Sequence, residues 1–259
     1  MAGNETLDGR VAVVTGAARD RGIGRGIALA LAERGADVVV NDAGFEDEAA
    51  RRVAEIEAFG RRSIFVRADV TRPKENERLV AEAVERLGRL DVFVANAGVA
   101  RWETLDEVKP ESWQFVTGVN LHGAVFGCRA AAAVMRRQGD GGRIVVTSSV
   151  HALVPGATLG VYGATKHAID LLVGVMALEW APEGISVNHV APGWVDTDIN
   201  NASPDFATPE LRAAMEASVP LGQRPADPRE IGEAVAYFAE STYTTGAHLR
   251  VDGGLVVGK

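Results

Sequence analysis

Short, largely apolar runs recur along this chain, each separated from the next by a longer stretch with helical spacing. The runs are Val11 to Val14, Val38 to Val40, Ser63 to Val66, Val92 to Ala95, Arg143 to Thr147, Ile185 to Val190 and His248 to Val251. A strand with one face in water alternates apolar and polar residues. The first four of these do not, so both of their faces must be covered. Gly22 to Arg34 reads as a helix ended by Gly35, with further helices over Asp47 to Phe59, Pro73 to Leu87, Pro110 to Arg137 and Val161 to Trp180. Strands alternating with helices predict an α/β chain: a doubly wound parallel sheet of about seven strands with helices on both faces. No linker, repeat or low-complexity segment divides the 259 residues, so a single domain over 1–259 is expected. Pro192 to Pro228 is irregular and rich in Pro, Asp, Asn and Ser, with a short helix near Pro209 to Ala217. Such an excursion in a compact domain is commonly a lid or a binding segment.

The net charge of −8 repels phosphate backbones, and no cluster of Lys or Arg offsets it, so nucleic acid is not an expected partner. Cys128 is the only cysteine, which rules out an intramolecular disulfide. Its neighbours Ala124, Val125, Phe126 and Ala130 to Ala133 point to a packed, inert thiol. Met1 to Asp8 lacks the basic flank and apolar centre of a secretion signal, and nowhere do roughly 18 apolar residues run together. A cytoplasmic chain with no membrane partner is expected.

Thr15 to Gly26 (TGAARDRGIGRG) follows the first strand and opens the first helix. Gly16, Gly22 and Gly24, with Ile23 between the last two, would let backbone N–H groups approach a dinucleotide pyrophosphate at a helix N-terminus. A P-loop is excluded because no Lys-Ser or Lys-Thr follows the glycines. Asp42 stands past the second strand, where an acid accepts hydrogen bonds from adenosine ribose hydroxyls and repels the 2′-phosphate of NADP. Arg19 and Arg21 oppose that signal, since a cation in the turn could grip the phosphate. Asp42 holds the more selective place, so NAD is favoured and NADP is the alternative.

Tyr162 and Lys166 in YGATK set a phenol and an ammonium four residues apart, on one face of a helix. A free tyrosine, with a pKa of about 10, is a poor acid/base at neutral pH, and a fixed cation nearby lowers that value. Ser148 and Ser149 close the fifth strand, at the carboxyl edge where such sheets bind ligands.

These pieces resemble the commonest subtype of the short-chain dehydrogenase/reductase family, from Leu7 to Gly254. The resemblance rests on the Gly-rich turn, Asp69-Val70, Asn96-Ala97-Gly98, Asn120 in VNLHG, Ser149 thirteen residues before Tyr162, Lys166, PGWVDT at Pro192 to Thr197, and VDGG at Val251 to Gly254. It implies a Rossmann-type fold and an NAD(P)-dependent oxidoreductase that interconverts a secondary alcohol and a ketone by hydride transfer. Tyr162 would be the general acid/base. Lys166 would lower its pKa and hold the nicotinamide ribose, Ser149 would polarise the reacting oxygen, and Asn120 would hold a relay water. Asp69 would meet the adenine amino group with Val70 assisting, and Asn96, Ala97 and Gly98 would pass under the adenosine. Val195 and Thr197 would hold the carboxamide, in the same cofactor-binding run as Pro192 and Gly193. No metal is expected, and a homotetramer would form across the Pro110 to Arg137 and Val161 to Trp180 helices.

Two departures stand out. Five residues, Ala17 to Arg21, separate Gly16 from Gly22, two more than is usual in the family. That length resembles the enoyl reductase branch, but its Tyr and Lys stand further apart, so carbonyl chemistry is expected here. The run Ala239 to Gly246 is also shorter than usual, near an expected oligomer contact.

For the substrate, SSVH (Ser148 to His151) with TDIN (Thr197 to Asn200) resembles bacterial glucose 1-dehydrogenases, and HALV with PGWV resembles 3-hydroxybutyrate dehydrogenases. Ala100 and Leu159 lack the polar side chains those groups carry there. Trp102, His151, Leu153, Leu159 and Trp194 are the candidate substrate contacts, and they suggest an uncharged, partly hydrophobic alcohol or ketone. A sugar or hydroxy acid, or a non-catalytic cofactor-sensing role, are the alternatives. A methyltransferase shares the turn and the acid but needs no Ser-Tyr-Lys set.

Overall fold

The computed structural model describes residues 6–203 and 208–258; part of the expected excursion, 204–207, lies outside the described residues. Seven parallel strands form one sheet in the order β3-β2-β1-β4-β5-β6-β7. They are β1 (Val11–Thr15), β2 (Asp37–Asp42), β3 (Ser63–Arg67), β4 (Val92–Ala95), β5 (Gly142–Thr147), β6 (Ile185–Pro192) and β7 (His248–Val251). The helices are α1 (Ile23–Glu33), α2 (Glu46–Glu57), α3 (Pro73–Leu87), α4 (Pro110–Thr117), α5 (Ala124–Gln138), α6 (Gly160–Trp180), α7 (Pro209–Ala217) and α8 (Pro228–Glu240).

Alternate residues of the strands feed two cores. Val11, Val13, Val39, Phe93, Ile144 and Val146 pack with Leu79, Met135 and Ile169 of α3, α5 and α6. Ala12, Val14, Val38, Val40, Val92 and Val145 pack on the other face with Ile27, Leu31, Ile56 and Phe238 of α1, α2 and α8. This is why the strand sequences show no polar alternation. The order reverses at β1 and β4, whose carboxyl ends open the crevice where such sheets take ligands.

Two elements differ from expectation. The long helix predicted over Pro110 to Arg137 is broken by a π-helical turn, Gly118–Gly123, between α4 and α5. Gly123 and Gly127 set how closely α5 approaches the sheet, since a Cβ on either would lie 2.9 Å from Val70 or Phe93. Helix α8 was not anticipated, although Asp227, Pro228 and Glu230 form a capping box with proline at the first turn. It crosses α1 where both lack side chains: a Cβ on Gly26 would sit 2.2 Å from the Pro228 carbonyl oxygen, and one on Gly232 2.4 Å from that of Gly26. Finally, α6 with its short extension (Gly160–Glu183) is long and apolar enough to pass for a membrane span by composition. It lies along β6 with Lys166, Ile169, Val173 and Trp180 buried, as a core helix does.

Candidate active site

Thr15 ends β1, and its hydroxyl accepts the backbone N–H groups of Asn96 and Ala97, each at 3.0 Å. Asn96 donates back to the carbonyls of Thr15 (2.9 Å) and Gly16 (3.2 Å) and accepts from the Thr147 hydroxyl at 3.2 Å. One asparagine thus laces together the carboxyl ends of β1, β4 and β5. Gly16 has φ +64°, and a Cβ there would lie 2.8 Å from Ala97 Cα; one on Gly24 would lie 2.3 Å from the Gly16 oxygen. Gly22 is the N-cap of α1 with no side-chain cap and Ile23 is its first residue, so the first-turn N–H groups face the turn where Gly16, Gly22 and Gly24 leave the backbone uncovered. That cradle fits the pyrophosphate of NAD(P).

The lengthened turn is held from both sides. Asp20 accepts from Arg51 (2.6 Å) and Arg52 (2.8 Å) of α2. Arg52 is fully buried, and burial pushes its guanidinium down to about 10. On the other side Arg19 bonds Asp198 at 3.1 Å and Arg21 bonds Asp196 at 2.8 Å, in the segment after β6. Arg19 also lies 4.6 Å from the centre of the Phe45 ring. Sequence reasoning missed these pairings because the partners stand 31, 32, 179 and 175 residues apart. Asp42 closes β2 and accepts the N–H of Ala43 at 2.9 Å and of Ala18 at 3.4 Å. Burial raises its pKa while those two hydrogen bonds pull it back. Asp69 takes the Thr71 N–H and hydroxyl, and the Val70 carbonyl takes the Asn76 amide.

The residues expected to handle protons converge at the ends of β4, β5 and α6. Lys166 is buried and its ammonium donates to the Thr147 carbonyl at 2.8 Å, 5.6 Å from the Tyr162 ring centre. Burial pushes Lys166 down to about 8, partly offset by the charge of Asp170. Burial raises the Tyr162 phenol, and a hydrogen bond with the Ser149 side chain counters it. The π-turn presents Asn120, whose carboxamide clamps both backbone groups of Val99 (2.8 and 2.9 Å) and donates to the Thr165 hydroxyl at 3.3 Å. A Cβ on Gly98 would be 3.6 Å from both Asn120 Oδ1 and Lys166 Nζ, so Gly98 leaves open the space between them.

His151 follows Ser149 in a short 3-10 turn, and its ring stands edge-on to Tyr162 with centroids 6.3 Å apart. Its Nδ1 meets the Val154 carbonyl at 3.1 Å. An isolated bridge joins Glu103 to Leu159, which places Trp102 beside the entry to α6. Leu153 is exposed. Trp194 is buried in a small third core with Val150, Val219, Leu255 and Val256, and packs the excursion onto the C-terminus. A Cβ on Gly193 would strike Asp252, which fixes the same junction. Pro192 pairs with Val251, Val195 bridges Ala226, and Thr197 is buried.

A family model described as enoyl-(acyl carrier protein) reductase matches residues 16–256. The chain is 42% identical to an L-rhamnose 1-dehydrogenase (NAD(P)(+)) of Sphingomonas sp. (strain SKA58), over 97% of this chain and 98% of the other. It is 39% identical to an L-rhamnose-1-dehydrogenase of Scheffersomyces stipitis, over 97% of each. A short-chain type dehydrogenase/reductase from Mycobacterium marinum superimposes with a TM-score of 0.90 at 32% identity, covering 98% of each chain. The chain belongs to the short-chain dehydrogenase/reductase family. It is an NAD(P)-dependent oxidoreductase acting on CH–OH and C=O groups.

Proposed function

We propose that this enzyme oxidises a neutral, partly apolar sugar, a 6-deoxyaldose in the first instance, with NAD preferred over NADP. The observation that carries the proton chemistry is the convergence of Ser149, Tyr162 and Lys166. The sugar reading draws on the names of the relatives and on a lining that is both polar (His151, Ser149) and apolar (Trp102, Leu159). Leu153 and Trp194 have lesser parts, at the exposed rim and in packing. An aliphatic or aromatic ketone is the second reading, favoured by those apolar neighbours.

Bound NAD would supply the hydride acceptor, held by the glycine cradle with Asp42, Asp69, Val70, Asn96, Ala97 and Gly98 along the adenosine and Pro192 to Thr197 at the nicotinamide. Ser149 donates a hydrogen bond to the substrate oxygen, and the Tyr162 oxygen takes its proton as the hydride departs. Burial disfavours an isolated phenolate and an isolated ammonium alike. Side by side the two charges offset each other, so Lys166 makes deprotonated Tyr162 accessible. Asn120, beside the space over Gly98, holds the relay that returns the proton to solvent. The NAD preference rests on Asp42 and on the engagement of Arg19 and Arg21 with Asp198 and Asp196 rather than with a ligand phosphate. A homotetramer across α5 and α6 is part of this reading, because Leu171, Val175 and Leu178 form an exposed apolar stripe on α6. A cytoplasmic setting is also part of this reading.

Fluorescence titration with NADH and NADPH, followed by initial rates on L-rhamnose, hexoses, 3-hydroxy acids and cyclic ketones, tests both parts. NADH should bind at least tenfold tighter, and neutral 6-deoxyaldoses should give the highest kcat/KM. Faster turnover of the hydroxy acids would overturn the substrate assignment. Tighter NADPH binding would overturn the cofactor assignment.

A further inference from the structure

One helical turn along α6 from Lys166, three side chains from three elements converge. Asp170 lies one helical turn past Lys166, His189 is on β6, and His248 is the strand partner of His189 on β7. His189 Nε2 is 3.7 Å from Asp170 Oδ1, His248 Nδ1 is 3.9 Å from Asp170 Oδ2, and the imidazole centroids are 4.4 Å apart. One ligand atom from each can be chosen so that all three lie within 4.8 Å of one another.

His189 is the second observation. It is 4% exposed, and neither of its ring nitrogens has a hydrogen-bond partner. A buried imidazole whose nitrogens make no hydrogen bond gives up its hydration without a matching partner. We infer that Asp170, His189 and His248 form a binding site for a divalent transition-metal ion of the zinc class, which staples the edge strand β7 to α6.

Two nitrogens and one carboxylate oxygen are a donor set that zinc and its neighbours accept, with solvent in the remaining position. Ligands about 2.0 Å from a tetrahedral zinc are about 3.3 Å from one another, so closure from separations of up to 4.8 Å needs movements of up to about 1.5 Å, mostly by His248 on the exposed side. Asp170 is already oriented by the Ser148 hydroxyl, which donates to Oδ1, as carboxylate ligands commonly are. The three residues are spread over 79 positions of sequence, in no motif spacing, which is why the chain alone shows no metal site. This inference does not depend on the sugar assignment.

The test uses the full-length, untagged protein, stripped of metal by chelation. Titration with Co²⁺ should give the visible ligand-field bands of a low-coordinate site, saturating at one ion per chain and bleached by Zn²⁺. Zn²⁺ should also raise the thermal midpoint. His248→Ala, on an exposed edge strand where folding is not at risk, should weaken Zn²⁺ binding at least tenfold and remove the cobalt bands. His189→Gln, checked for folding by circular dichroism, should do the same. Equal affinity and unchanged spectra in His248→Ala, or no saturable band in the parent protein at millimolar Co²⁺, would overturn the assignment.

Discussion

At the scale of single residues, the role proposed for Lys166 sets catalytic need against stability. Its ammonium is held at about 8, against an ordinary value of 10.5. Below pH 8 both folded and unfolded chains carry the proton, and the full cost of burying the charge is present. Between about pH 8 and 10.5 the unfolded chain binds the proton and the folded chain does not, so stability rises with pH in that window. The difference corresponds to about 3 kcal/mol. Lys166→Met should therefore abolish turnover yet melt at a higher temperature than the parent at pH 7, with the gap narrowing towards pH 10. Melting curves of the ligand-free proteins at the two pH values check this. Tyr162→Phe should lose at least about 10³-fold in kcat while NADH binding stays within a factor of three. The residues of this site were legible in the chain because Tyr162, Lys166 and Ser149 lie close in sequence at strand and helix ends. Asn41, Asn96 and Arg52 were not recognised as cross-links, because a buried polar side chain shows its role only through its distant partners.

At the scale of elements, the strands of the first half were readable from uninterrupted apolarity and most helices, α8 excepted, from their spacing and glycine stops. The break at Gly118–Gly123 was not, since helical periodicity continues on either side of a single π-turn. That turn gives Asn120 its grip on Val99. Asn120→Ala should cut kcat by about tenfold or more and lower stability by about 1–3 kcal/mol, measured by steady-state rates and urea unfolding. The α1–α8 crossing is the other element-level dependence. Gly26→Val would force Cβ onto the Pro228 carbonyl and separate the two helices. It should cost about 3 kcal/mol or more and shift the urea midpoint accordingly.

At the scale of the whole molecule, the acids after β6 reach back to the arginines of the Gly-rich turn and so couple the excursion to the cofactor cradle. Exposed pairs of this kind are individually weak, at about 1 kcal/mol or less. Their larger effect is to occupy Arg19 and Arg21. An Asp196→Asn/Asp198→Asn double variant should thus bind NADPH about three- to tenfold tighter, with NADH little changed, by fluorescence titration. The α6 stripe belongs to the same scale: Leu178→Glu should shift the protein towards smaller species in light scattering while leaving the secondary structure intact.

The sequence by itself determined the fold class and, with the family resemblance, the candidate phosphate-binding turn and the Ser149–Tyr162–Lys166 set proposed for proton transfer. Each of these is written in local periodicity or short spacing. Tertiary structure alone decided the splitting of the long helix, the anchoring of the lengthened turn by α2 and by the segment after β6, the packing role of Trp194, and the meeting of Asp170 with His189 and His248. These depend on which distant residues the sheet order brings side by side, and charge pairs and buried polar contacts carry no periodicity from which such neighbours can be read.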